Sequence, residues 1–172
     1  MIKGKEILLR APEMSDVDML YNLENDLSIW RLSNTNAPLS RFAIEQYILN
    51  AGLEIFETRQ VRFMIVNLSD EKAIGTIDLF DYEPIHRRAG IGIYLEANER
   101  GKGKASEALD LVIDYCFNTL MLRQVYCNIS PDNVQSKILF EKKGFTLIGT
   151  KRSWLLIQNQ WMDEDMYQLI NL

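Results

Sequence analysis

The chain has 172 residues, 47% of them apolar and 25% charged, which suits one folded domain over 1–172 and excludes extended disorder. Its formal charge of −5 leaves no broad basic surface of the kind a phosphate backbone needs, so general nucleic-acid binding is set aside; the balance suits a small cationic partner better. The opening MIKGKEILLRAPEMSD has no signal-like apolar run and nowhere do about 18 apolar residues follow one another, so no membrane association is expected and the expected location is the cytoplasm.

In chain order, residues 6–10 (EILLR) read as a strand closed by Ala11-Pro12. Ser15 or Asp16 then caps a predicted helix to about residue 25, with Val17, Leu20, Tyr21 and Glu24 at helical spacing. Residues 28–38 read as a loop or a broken helical turn. Ser40 opens a second helical pattern to about residue 56, in which Phe42, Tyr47 and Ile48 are expected to pack.

The period then changes. Residues 62–68, 73–80 and 89–96 form three short apolar runs with hairpin-length connections and are expected to pair antiparallel. Residues 104–119 return to a helical period: Ala105, Ala108, Leu109, Val112, Ile113, Cys116 and Phe117 share one face, with Glu107, Asp110 and Asp114 facing away. A strand at 123–130, a helix from 134 to 143 ending at Gly144, and two long strands at 145–157 and 161–170 complete the chain. The crossover helix makes strands 89–96 and 123–130 parallel, so the expected fold is α+β: a mixed, mostly antiparallel sheet of about seven strands with helices on both faces. Cys116 and Cys127 lie in apolar patterns, without a CxxC pair or neighbouring histidines, and read as reduced core residues; no metal site is expected.

One stretch carries chemistry. Residues 99–106, E-R-G-K-G-K-A-S, follow a strand and open a helix, the arrangement in which helix N–H groups receive an anion. Gly101 and Gly103 let backbone approach oxygen atoms, and Arg100, Lys102 and Lys104 supply charge; the plain alternative is a solvated lysine turn. A P-loop fails at Asn98 and Ala105. A dinucleotide fingerprint fails at Ser106, and Asn128-Ile129-Ser130 ends the next strand without an acid.

Arg100-x-x-Gly103-x-Ala105 resembles instead the R/Q-x-x-G-x-G/A loop of the GNAT superfamily of N-acetyltransferases, which wraps the pyrophosphate of coenzyme A. Asn133 followed by Gly144-Phe145 resembles the family's second CoA-contacting helix, and HRRAGIGIYL (86–95) before RGKGKA is similar to spermidine acetyltransferases and ribosomal-protein N-terminal acetyltransferases. The resemblance implies acetyl-CoA as co-substrate and a strand at 91–96 that splays from its parallel neighbour, its backbone at Ile93, Tyr94 and Leu95 meeting the pantetheine arm. It implies a pyrophosphate held by Arg100, Gly101, Lys102, Gly103, Lys104, Ala105 and Ser106, with Asn133 and Lys142 flanking the cofactor.

The implied reaction is attack of a neutral amine on a thioester. An ammonium of pKa near 10.4 leaves about one molecule in a thousand neutral at pH 7.4, a handicap of roughly 4 kcal/mol, so a proton acceptor is needed. Asp78 is the leading one: it interrupts the apolar run AIGTIDLF and matches an acidic position in spermidine acetyltransferases; the alternative is an acid at a sheet edge facing water. Where the family places a thiolate-protonating tyrosine, this chain has Phe140. Ser136, one turn earlier, is the alternative donor, directly or through water; unassisted departure of the thiolate is another route, and a CoA-binding regulatory module with weak catalysis a third reading.

A polyamine such as spermidine is the first acceptor and a protein N-terminus, whose α-amine deprotonates more easily, the second. Glu24, Asp26, Asp81 and Glu83, the trio Asp163, Glu164 and Asp165, and the aromatic residues Trp30, Tyr82, Trp154 and Trp161 are wall candidates for an amine pocket; each is also explained by a solvated face or by packing. His86 lies in a polar turn and is a minor catalytic candidate. Relatives often form homo-oligomers, and the same is an expectation here.

Overall fold

The computed structural model describes residues 1–33, 37–51 and 55–172. Among these residues eight strands build one sheet: β1 (Ile2–Lys3), β2 (Ile7–Arg10), β3 (Val61–Asn67), β4 (Ala73–Glu83), β5 (Arg88–Leu95), β6 (Gln124–Ile129), β7 (Thr146–Ile157) and β8 (Gln160–Ile170). Their spatial order is β1-β2-β3-β4-β5-β6-β8-β7, and every pairing is antiparallel except β5 with β6. The expected mixed sheet is therefore present, with the two-residue β1 as one strand more than the sequence announces.

Alternation along the strands gives each face its own core. Met64 and Val66 point to one face, where Leu20 and Leu23 of α1 (Val17–Glu24) and Ile44 and Ile48 of α3 (Arg41–Leu49) cover them. Ile65, Ile77, Leu79 and Ile91 point to the other, under Leu109 and Val112 of α5 (Lys104–Asp114) and Phe140 of α6 (Val134–Lys142). Each such side chain contributes about 1.5–3 kcal/mol by burial. The α5 pattern continues through a wider π-helical turn at Tyr115–Thr119, closed by the Leu120 N–H donating to the Tyr115 carbonyl at 3.0 Å. Cys116 and Cys127 are buried and unpaired.

Three local expectations are corrected. Residues 28–38, read as a loop or a broken helical turn, contain a regular helix, α2 (Leu27–Ser33), opened by Asp26, whose Oδ1 accepts from the Ser28 N–H at 2.8 Å and the Ser28 hydroxyl at 2.7 Å; positions 34–36 lie outside the described residues. The long helix expected from residue 40 stops at Leu49, and a separate turn of helix, α4, occupies Ile55–Thr58. Phe42, expected to pack, is 68% exposed. Glu107 stands apart from the apolar face of α5 and is half-buried there, its carboxylate accepting the backbone N–H groups of Lys5 and Glu6 and tying the β1–β2 turn to α5. Among the described residues no helix is long and apolar enough to cross a membrane.

Candidate functional site

The site begins where the sheet parts. β5 and β6 pair at only three positions, Arg88 with Gln124, Ala89 with Val125 and Gly90 with Tyr126. Beyond Gly90, β5 continues to Leu95 on β4 alone, while β6 keeps β8, its partner from Gln124 to Ile129, as its one neighbour. From Ile91 to Leu95 one edge of β5 thus has no partner strand for the groups that a sheet normally satisfies, and on it the Leu95 carbonyl accepts from the Arg100 side chain. Ile93, Tyr94 and Leu95 lie on this stretch. Leu95 is buried and Ile93 packs on the α5-side core, while the Tyr94 ring sits on the α1 face beneath the Arg100 guanidinium, 5.8 Å from the ring centroid.

The strand leads into a short turn at Ala97–Glu99 and then the glycine loop. Gly101 and Gly103 have φ of 76° and 83°, a left-handed backbone that residues with a Cβ resist, and nothing lies within 4 Å of where a Cβ would stand. Gly103 is the residue before the first turn of α5, so the free N–H groups of Lys104, Ala105 and Ser106 open toward the loop. Arg100 is drawn inward, its Nε donating to the Leu95 carbonyl at 2.9 Å. Glu99 is the counter-charge that the sequence reading missed. It accepts from Lys104 Nζ at 2.5 Å and lies 3.4 Å from Lys102 Nζ, and the Lys104 bond holds its carboxyl below the ordinary value. The cations are gathered around an internal carboxylate at the helix start, which answers part of their mutual repulsion.

On the opposite side of the parting, α6 begins at Asn133, whose Oδ1 accepts the Ser136 N–H at 3.2 Å. Ser136 is half-buried on the first turn and Lys142 is exposed on the last. Phe140 is not at a surface at all: it is 3% exposed, edge-on to Phe145 with ring centroids 5.0 Å apart.

Asp78 is on β4, directly across from Arg62 on β3 and from Gly92 on β5. Arg62 Nε and Nη2 donate to its two oxygens at 2.7 and 3.2 Å, and Arg62 Nη1 donates to Glu24 at 2.5 Å. Asp78 is therefore neither a free edge acid nor a lone base. Burial pushes its carboxyl above the ordinary 3.8, and the charge and hydrogen bonds of Arg62 only partly oppose this. At Gly90 the Phe80 ring takes the space of a side chain, a Cβ there meeting it at 2.3 Å, whereas at Gly92 the nearest ring atom is 3.7 Å away. The carboxylate consequently borders the free stretch of β5 with no β5 side chain beside it. Arg62 was legible only as the lone charge on the face shared with Met64 and Val66.

A spermidine N(1)-acetyltransferase of Vibrio cholerae is 26% identical over 163 residues, 93% of this chain and 90% of its own length. The probable N-acetyltransferase YjcK of Bacillus subtilis is 30% identical over 177 residues, 99% of this chain and 97% of its own length. The acetyltransferase (GNAT) domain model matches residues 6–146. The chain belongs to the GNAT acetyltransferase family. The fold of this acetyltransferase also superimposes on a crystal structure of the Vibrio cholerae spermidine N-acetyltransferase in complex with CoA and spermine, with a TM-score of 0.86 at 24% identity over 97% of this chain and 96% of that one.

The other candidate acids of this acetyltransferase have partners. Asp81 accepts from the Tyr126 hydroxyl at 3.2 Å; burial, with Asp81 adding, pushes that phenol up to about 12 and keeps it protonated. Glu83 pairs with Arg59, and Asp163, Glu164 and Asp165 pair with Arg152, Lys151 and Lys137. Tyr82 is core, Trp30 donates to the Glu24 carbonyl at 2.7 Å, and Trp154 and Trp161 are exposed on the last hairpin. His86 sits exposed in the β4–β5 turn, away from Asp78 along the strand. Beside Tyr94, a cleft of about 130 Å³ is lined by Met19, Asn22, Leu23, Asp26, Tyr94 and Glu96.

Proposed function

We propose that this acetyltransferase moves the acetyl group of acetyl-CoA to a primary amine, with a polyamine such as spermidine as the acceptor. The observation that carries the reading is the free edge of β5 flanked by Asp78 on one side of the parting and running straight into the glycine loop. Backbone at Ile93, Tyr94 and Leu95 holds the pantetheine arm as a further strand would be held. Arg100, Gly101, Lys102, Gly103, Lys104, Ala105 and Ser106 hold the pyrophosphate, and Asn133 and Lys142 flank the cofactor from α6. The fit is good, because the loop offers an empty cradle with helix N–H groups and two lysines that exchange Glu99 for phosphate. Bound acetyl-CoA supplies the activated acyl carbon.

The chain's own residues do the rest. Asp78 accepts the proton of the acceptor ammonium, and the cleft with Asp26 and Glu96 receives the rest of a cationic chain. Ser136 stands at the first turn of α6 as proton donor to the departing sulfur, since Phe140 has no proton to give. The similarity to a protein named spermidine N(1)-acetyltransferase supports a polyamine acceptor.

A second reading, N-terminal acetylation of a protein, is favoured by the burial of Phe140. Without a phenol in the site, an α-amine of pKa near 8 is the easier nucleophile. The same cofactor grip without turnover would make the chain a CoA-binding module. Incubating the protein with acetyl-CoA and a panel of polyamines and peptides, and following free thiol, separates the three. Release with spermidine alone supports the first, release with peptides alone the second, and tight CoA binding without release the third.

We place the protein in the cytoplasm as a single domain and a homo-oligomer. Exposed Ile148, Trp154, Leu156 and Trp161 on the outer hairpin support association, which light scattering tests.

A further inference from the structure

Three charges meet beneath α1. Arg62 Nη1 donates to Glu24 at 2.5 Å, and its Nε and Nη2 donate to Asp78 at 2.7 and 3.2 Å. Their side chains are only 20%, 15% and 27% exposed, and the group carries one more negative charge than positive. Among the described residues, the groups that face the cluster are these. Arg62 faces Asp78 from β3, Glu24 from α1 and Tyr47 from α3, with the guanidinium 5.6 Å from the Tyr47 ring centroid; β5 contributes Gly92, which has no charge. Glu24 is held in place because Trp30 Nε1 donates to its carbonyl and Asn25 Nδ2 donates to the Tyr21 carbonyl at 2.8 Å.

A carboxylate bound by one buried arginine alone resists protonation, because the proton would leave an unpaired buried cation. In this cluster it would not, since Arg62 keeps Glu24. We propose that Glu24 is a positioning residue for proton transfer, the standing counter-ion of Arg62 that releases Asp78 to take up the proton of the acceptor amine. The inference rests on the reading of Asp78 as the base. In the step, the ammonium gives one proton to an Asp78 oxygen and its freed lone pair forms the N–C bond to the thioester carbonyl carbon. The C–S bond breaks with its electron pair going to sulfur, and the second surplus N–H proton leaves the new amide nitrogen for that sulfur by way of the Ser136 hydroxyl or water, giving a neutral amide and a free thiol. The cluster ends as a neutral Asp78 acid beside a neutral Arg62–Glu24 pair, and loss of the proton to water restores it.

The test is the pH dependence of kcat with saturating acetyl-CoA and spermidine for the wild type, E24Q and E24D. E24Q makes Asp78 the sole counter-ion of Arg62, so its acid limb moves down by about one pH unit and the plateau falls severalfold, because the base is weaker. E24D keeps the charge and the limb stays near the wild-type position. E24A replaces E24Q should the latter not fold, with the same expected shift. Carbon-13 titration of the Asp78 carboxyl, followed by NMR in the protein without cofactor, shows the same downward move independently of turnover. An acid limb and an Asp78 titration that stay where they are in E24Q, with kcat lowered equally at all pH, reduce Glu24 to a packing residue and overturn the inference alone. D78N with wild-type kcat overturns the base reading and the inference with it.

Discussion

Gly92 faces Asp78 across the β4–β5 ladder, and because it carries no side chain the carboxylate borders the one stretch of β5 with a vacant edge. That juxtaposition joins the two halves of the proposed chemistry, a place for an extended cofactor arm and a proton acceptor beside it.

Replacing Asp78 by asparagine therefore removes the acceptor while keeping its shape and one hydrogen bond to Arg62. We expect kcat to fall by about 10²- to 10⁴-fold with the CoA affinity nearly unchanged. In the wild type, burial lifts the Asp78 carboxyl above the ordinary 3.8, and the ionised form is the base. Activity is thus lost as pH falls through this raised value, above the pH at which an exposed aspartate would lose its charge. Steady-state kinetics across pH checks both.

Gly103→Ala puts a Cβ on a residue at φ 83°. The space is open, so the cost is conformational, about 1–2 kcal/mol. The loop relieves it by changing shape. Calorimetry should show CoA binding weakened by about tenfold or more, with the melting temperature lowered by only a few degrees. A variant that binds CoA as the wild type does would count against the loop as the pyrophosphate cradle.

If Ser136 serves the departing sulfur, S136A loses about tenfold or more in kcat, and CoA binding measured by calorimetry does not change. F140Y does not repair it. The Phe140 ring is enclosed against Phe145, and a hydroxyl added there without a partner costs about 1–3 kcal/mol. Denaturant unfolding should report that loss, and a rise in kcat on adding the phenol would refute this account of Phe140.

Acid stability depends on the far end of the sheet. Asp165, 7% exposed, pairs with Lys137 at 2.8 Å and accepts from the Thr150 hydroxyl at 2.6 Å, and the Lys137 bond first, then Thr150, hold its carboxyl below 3.8. A carboxyl depressed by folding stabilises fully above its unfolded value and loses that contribution as pH falls through the folded one. Stability should fall below about pH 4, and D165N should flatten that fall while costing roughly 1–3 kcal/mol at neutral pH. Urea unfolding of both proteins between pH 2.5 and 7 is the check.

Strong periodicity made most of the fold readable. The 104–119 pattern gave α5 because Ala108, Leu109, Val112 and Cys116 recur at the helical spacing, and the crossover it forms dictated the parallel pair. Short elements escaped. The start of α2 was marked by Asp26 two residues before Ser28, but the mixed polarity of SIWRLS hid the helix behind it. Asn50-Ala51-Gly52 carried a stop signal inside the supposed long helix.

At the site, the glycine loop is local and could be read directly. The environment of Asp78 could not, because Arg62 and Glu24 reach it from 16 and 54 residues earlier in the chain and no spacing rule connects them. Glu107 shows the same limit: period assigns a side chain to a face, not to the backbone of the turn that the sheet brings alongside.

The parting of β5 from β6 after only three paired positions also sets how the backbone trades hydrogens with heavy water. Within residues 91–95, every second N–H looks toward β4 and is shielded, and those between are open to solvent. The strand should therefore show alternating fast and slow deuteration along one short segment, and occupancy of the groove should be visible as the fast members slowing down, residue by residue, without any turnover being measured.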